Sequence, residues 1–154
     1  MSSDMSHERA TPDELLSSLG QRLGIDGLRF SEEGLCELIF DGGLRTITMH
    51  QRGNWLSAIQ LQSHPLPAGD TLASQALAAN FLWRGTNGAT LALDSEQRLW
   101  AQRSPATAQP DTNDLLANLE TLLDLAEAWQ ARKPPEESRP PAFERPMSLF
   151  LNRA

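Results

Sequence analysis

Apolar and polar positions along this chain follow two periods, one helical and one alternating. Leu15, Leu16, Leu19 and Leu23 recur at helical spacing behind Thr11-Pro12-Asp13-Glu14. There the Thr11 side chain can accept from the Glu14 amide, the Glu14 carboxylate can reach back, and Pro12 suits the first turn. Gly24 ends that stripe. From Leu28 the period falls towards two: Leu28–Phe30 reads as a short strand and Glu32-Glu33-Gly34 as a turn. Leu35 to Phe40 and Leu44 to His50 then flank Asp41-Gly42-Gly43, whose glycines permit the positive φ of a tight hairpin. A third long strand is predicted from Trp55 to Gln62, closed by Pro65 and Pro67.

Asp70-Thr71 opens a short helix carrying Ala73, Ala76, Ala78 and Ala79, which runs into Asn80-Phe81-Leu82. A hairpin over 88–94 and 97–103 turns at Ser95-Glu96. The last helix starts at Pro110-Asp111-Thr112 and carries Leu115, Leu119, Leu122, Ala126 and Trp129, with Lys133-Pro134-Pro135 beyond its end. The order α-β-β-β-α-β-β-α predicts an α+β fold with a twisted antiparallel sheet flanked by helices. The expected organisation is a flexible leader over 1–10, one domain over 11–132, and a proline-rich extension over 133–154 that carries an apolar patch, Met147 to Leu151.

Two strands carry apolar residues on both faces. Cys36, Leu38 and Phe40 oppose Leu35 and Ile39, and Trp55, Ile59 and Leu61 oppose Leu56 and Ala58. An antiparallel sheet with one wet face should alternate cleanly. Either these are the scattered surface apolars that any protein carries, or the second face or its edge receives another chain, by strand addition or in an apolar groove.

Composition narrows the choice. The 154 residues carry net charge −7, and the charge is uneven. Residues 132–154 hold five basic and three acidic side chains, leaving eight basic and seventeen acidic in the remainder, a net −9. An acidic body repels phosphate, which argues against nucleic acid and anionic membrane as partners. No apolar run reaches the ~18 residues of a membrane span, the N-terminus lacks a signal-peptide core, and Cys36 is the single cysteine. A cytoplasmic location is expected. His7, His50 and His64 are scattered, tyrosine is absent, and no P-loop, GxGxxG, GxSxG or HExxH occurs. No enzyme, metal or cofactor is expected.

The opening Leu15-Leu16…Leu19-Gly20…Leu23-Gly24, the meander Phe30-Ser31-Glu32-Glu33-Gly34-Leu35-Cys36-Glu37-Leu38, then Ala79-Asn80-Phe81-Leu82 and Leu91-Ala92-Leu93-Asp94 together resemble the class I chaperones of type III secretion systems. The likeness covers roughly residues 12 to 130. It implies a homodimer with Leu72, Ala73, Ala76, Ala79, Phe81 and Trp83 near the two-fold axis and Trp55, Ile59 and Leu61 on the accompanying strand. It implies an effector-binding groove, for which Leu16, Leu19, Leu23, Phe30, Leu38, Phe40, Ile47 and Met49 are the lining candidates. The client it implies is the N-terminal segment of a secreted effector, held extended and export-competent and presented to the secretion ATPase. The added tail departs from that pattern, and Met147, Leu149, Phe150 and Leu151 are candidates to mimic a client in the groove. The competing reading is a stand-alone α+β binding or immunity-type module with another protein partner.

Overall fold

The structure is a computed structural model and describes residues 9–131. The expected leader over most of 1–10, the extension over 133–154 and the tail candidates Met147, Leu149, Phe150 and Leu151 lie outside the described residues. Helix α1 (Pro12–Leu23) begins as its sequence dictates. Glu14 N donates to Thr11 Oγ1 at 3.2 Å, Thr11 N donates to Glu14 Oε2 at 2.9 Å, and Gly24 closes the helix at φ +74°. The chain then folds back on Gly20, where Ile25 N donates to Gly20 O at 2.7 Å. A Cβ at Gly20 would stand 2.7 Å from Ile25 O and 2.9 Å from Leu28 Cβ, so only glycine admits this return.

That return corrects one expectation. Leu28–Phe30 is not a strand. Leu28 and Phe30 pack from the loop against the cluster beneath α1, so they are partly buried without a ladder. Three strands follow as a meander: β1 (Leu35–Phe40), β2 (Leu44–Gln51) and β3 (Asn54–Gln60). After a short helix α2 (Thr71–Ala79) and a single 3₁₀ turn at Phe81–Trp83 come β4 (Thr90–Leu93), β5 (Leu99–Arg103) and the long helix α3 (Thr112–Gln130). The five strands form one antiparallel sheet in the order β1-β2-β3-β5-β4. The architecture is α+β.

Alternation along the strands fixes what each face meets. Cys36, Leu38, Leu44, Trp55, Ile59, Leu91, Leu99 and Ala101 are buried on one face. Against them lie Leu16 and Leu19 of α1 and Leu115, Leu119, Leu122, Ala126 and Trp129 of α3. Polar groups trapped on that face are paired: Thr48 and Ser57 hydroxyls meet at 2.9 Å, and the Asn118 amide exchanges hydrogen bonds with Arg103 at 2.6 and 2.9 Å. Burial also raises the Cys36 thiol above its ordinary pKa, so it stays protonated and inert.

Candidate functional site

Among the described residues no helix covers the opposite face of the sheet. Its floor is built by the alternate set of residues: Leu35 on β1, Ile47 and Met49 on β2, Leu56 and Ala58 on β3, Ala92 on β4 and Trp100 on β5. The register brings these together, with Leu35 beside Met49, Met49 beside Leu56, Ile47 beside Ala58, and Trp100 beside Ala92. Twist makes the floor concave, enclosing about 450 Å³. Ile39 stands 70% exposed beside it on the edge strand.

Fixed charges frame this floor. On the β1–β2 side Arg45 donates to both Glu37 oxygens, at 2.6 and 3.0 Å. On the β4–β5 side Asp94 accepts from the backbone N–H groups of Glu96 and Arg98 at 2.8 and 2.9 Å, and from the Trp100 indole at 2.9 Å. The Arg98 amide and then the indole hold the Asp94 carboxyl below the usual aspartate range. Arg98 also pairs with Glu96. The turn thus clamps Trp100 upright, and the concavity offers an apolar floor with an ordered polar rim. Among the described residues no group of three His, Cys, Asp or Glu side chains is placed to hold a metal ion, and no helix is long and apolar enough to cross a membrane.

A second apolar surface lies at α2. Leu72, Ala76 and Ala79 turn inward onto the α3 cluster. Leu77 (73% exposed), Phe81, Leu82 and Trp83 point away from it into solvent. Leu82 and Trp83 both sit at φ +54°, an unfavourable region for large side chains. The Asn80 side chain holds this turn in place. Its amide donates to Leu91 O at 2.9 Å and accepts from Leu91 N at 2.8 Å, so it substitutes for a neighbouring strand on the edge of β4. Trp83 Nε1 donates to Thr90 Oγ1 at 3.3 Å.

The residues expected to line a groove separate in space. Ile47 and Met49 lie in the open concavity. Leu16, Leu19 and Leu38 are interior, and Leu23, Phe30 and Phe40 pack partly buried against the same cluster on the helix-covered face. Those expected at a dimer seam also divide. Trp55, Ile59, Leu61 and Ala76 are buried by their own protomer, with Leu72, Ala73 and Ala79 half-buried, so Phe81 and Trp83 supply the free surface of that set. Sequence reasoning missed Leu35, Leu56, Ala58, Ala92 and Trp100 as lining, and Leu77 and Leu82 as exposed. Assigning Leu56 and Ala58 to the face opposite Ile59 was the signal that could have found the floor.

The Tir chaperone protein (CesT) family model matches residues 14–130. No curated protein matches the chain. Among solved structures, a chain of the ExsC–ExsE complex is similar at TM-score 0.68 with 24% identity, covering 81% of this chain and 95% of that one. A chain of the HopA1–SchA chaperone–effector complex is similar at TM-score 0.62 with 21% identity, covering 76% and 91%. The Yersinia pestis type III secretion chaperone SycH, in complex with a fragment of YscM2, gives a structure similar at TM-score 0.57 with 18% identity, covering 77% and 99%. At these identities the likeness shows the fold.

Proposed function

The chain belongs to the Tir chaperone protein (CesT) family, and on that premise we propose that it is a type III secretion chaperone for the N-terminal segment of one or more effectors. The uncovered apolar floor of the sheet carries this reading. Ile47, Met49, Leu56, Ala58 and Trp100 are only half-buried in the protomer, and a partner segment laid across them removes them from water. The client binds extended, because a shallow concavity with an exposed strand edge beside it accommodates a chain, and a folded domain would touch it at few points. The similar structures include a chaperone–effector complex and a chaperone holding a fragment of a second protein, which supports the same reading.

Two further parts complete the proposal. The exposed ridge of Leu77, Phe81, Leu82 and Trp83 joins two copies into a homodimer, with α2 against its symmetry mate. The loaded dimer then delivers its client, unfolded, to the secretion ATPase.

Co-expression of the full chain with effector N-terminal segments tests the client site. Carboxylates introduced together by Ile47→Glu and Met49→Glu should leave the helix-covered core intact and reduce co-purified client at least about tenfold, the scale of a hot-spot loss. Unchanged client recovery from a folded double variant would refute the placement.

A further inference from the structure

The sheet has two edges, and at each a neighbouring segment occupies the outward groups of one strand residue. At β4 the Asn80 amide occupies the outward groups of Leu91. At β1 the outward groups of Leu35 are taken by Ser31, which donates from its backbone N to Leu35 O at 2.7 Å and accepts from Leu35 N through its hydroxyl at 3.3 Å. By the alternation of an antiparallel ladder, Glu37 and Ile39 point the same way as Leu35, away from β2. Among the described residues nothing meets their outward N–H and C=O groups. This is an unprotected edge, and such edges attract strands.

Charges bracket that edge. Exposed Glu33 precedes β1 and exposed Asp41 follows it, eight residues apart. The same chain contains one apolar segment flanked by cations at the same spacing: Arg145 and Arg153, also eight apart, on either side of Met147-Ser148-Leu149-Phe150-Leu151. Extended chain has one repeat length, so two segments laid side by side bring both charge pairs into register at once, in parallel or antiparallel sense. The segment lies in the basic part of the sequence and the edge in the acidic part. Reach is ample. Helix α3 ends at Gln130, with Trp129 in the cluster that holds Leu44 at the β1–β2 turn. Sixteen residues, 131–146, separate that end from Met147, and a proline-rich tether of that length can reach on the order of 50 Å.

We propose that Met147–Leu151 of this chain seats itself in cis as a sixth strand on β1, between Glu33 and Asp41, and occupies the client edge until a client displaces it. The inference rests on the reading that this edge and the adjoining floor receive a client, and it adds a built-in competitor. A competitor seated nine-tenths of the time weakens client binding about tenfold and gives the empty edge a cover against self-aggregation.

Amide hydrogen exchange on the full chain, with no client present, tests the inference independently of the chaperone reading. The amides of Glu37 and Ile39 should exchange about tenfold more slowly than in the full-length Leu149→Asp variant. The pair Arg145→Glu and Arg153→Glu should release them as well, and adding Glu33→Arg with Asp41→Arg should restore protection. Protection should not change with protein concentration. Fast exchange of Glu37 and Ile39 in the unaltered chain, failure of the charge reversal to restore protection, or protection that grows with concentration would each overturn it. If those amides are protected and no effector segment binds, the edge cover stands and the chaperone reading falls. If a client binds and those amides are unprotected, the edge cover falls and the chaperone reading stands.

Discussion

At the scale of single residues, side chains that complete backbone bonding define this molecule. Thr11, Glu14, Asp111 and Asp114 form two capping boxes, and both helix starts were legible because a cap uses residues three apart in sequence. Asn80 stood out only by its place after Ala79. Its work is done eleven residues away on Leu91, a relation that no local spacing discloses. Replacing it by leucine strands a donor and an acceptor of β4, and Asn80→Leu should cost about 1–3 kcal/mol in denaturant unfolding. No measurable loss would contradict the role given to it. Asp94 makes a prediction about pH. Its folded carboxyl is depressed, so the stability it contributes is complete above the ordinary aspartate value of ~3.9 and is lost as pH falls through the lower folded value. Emission from Trp100 should therefore hold steady from neutrality to about pH 4 and change only below it. The Asp94→Asn variant, whose Nδ2 cannot accept from the indole, should lack that acid step. A Trp100 transition near neutral pH would count against the clamp.

At the scale of elements, α1, the β1–β2–β3 meander, the hairpin and α3 were all readable from period and punctuation. Leu28–Phe30 was not, because its alternating look serves a loop packed on Gly20. Helix α2 shows the limit most clearly. It is apolar nearly all round, so its sequence could not tell which stripe faces its own protomer. The structure turns Leu72, Ala76 and Ala79 inward and leaves Leu77, Phe81 and Trp83 outside. The two sides separate by substitution. Ala76→Asp buries an unpaired charge and should destabilise the fold by at least about 3 kcal/mol. Leu77→Asp should leave unfolding of the protomer within about 0.5 kcal/mol and shift sedimentation from dimer to monomer. A dimer that survives Leu77→Asp together with Trp83→Asp would remove the ridge from the interface.

At the scale of the whole molecule, the governing fact is asymmetry between the faces of one sheet. α1 and α3 cover the face built by Cys36, Trp55 and Ile59, and among the described residues no helix covers the face built by Ile47, Met49, Leu56 and Trp100. Apolar residues on both sides of β1 and β3 made the surplus legible before the fold was known. Which side would be left open depends on how α1 and α3 dock, and a helix stripe specifies burial without naming its partner strand. The open floor as the client surface is therefore the central claim. Fluorotryptophan NMR reads it directly, since the four tryptophans of the full chain divide between that floor (Trp100), the covered core (Trp55 and Trp129) and the α2 ridge (Trp83). Saturation with an effector's N-terminal segment should move the Trp100 resonance and leave those of Trp55 and Trp129 in place. A complex that co-purifies yet leaves Trp100 unmoved would contradict that claim.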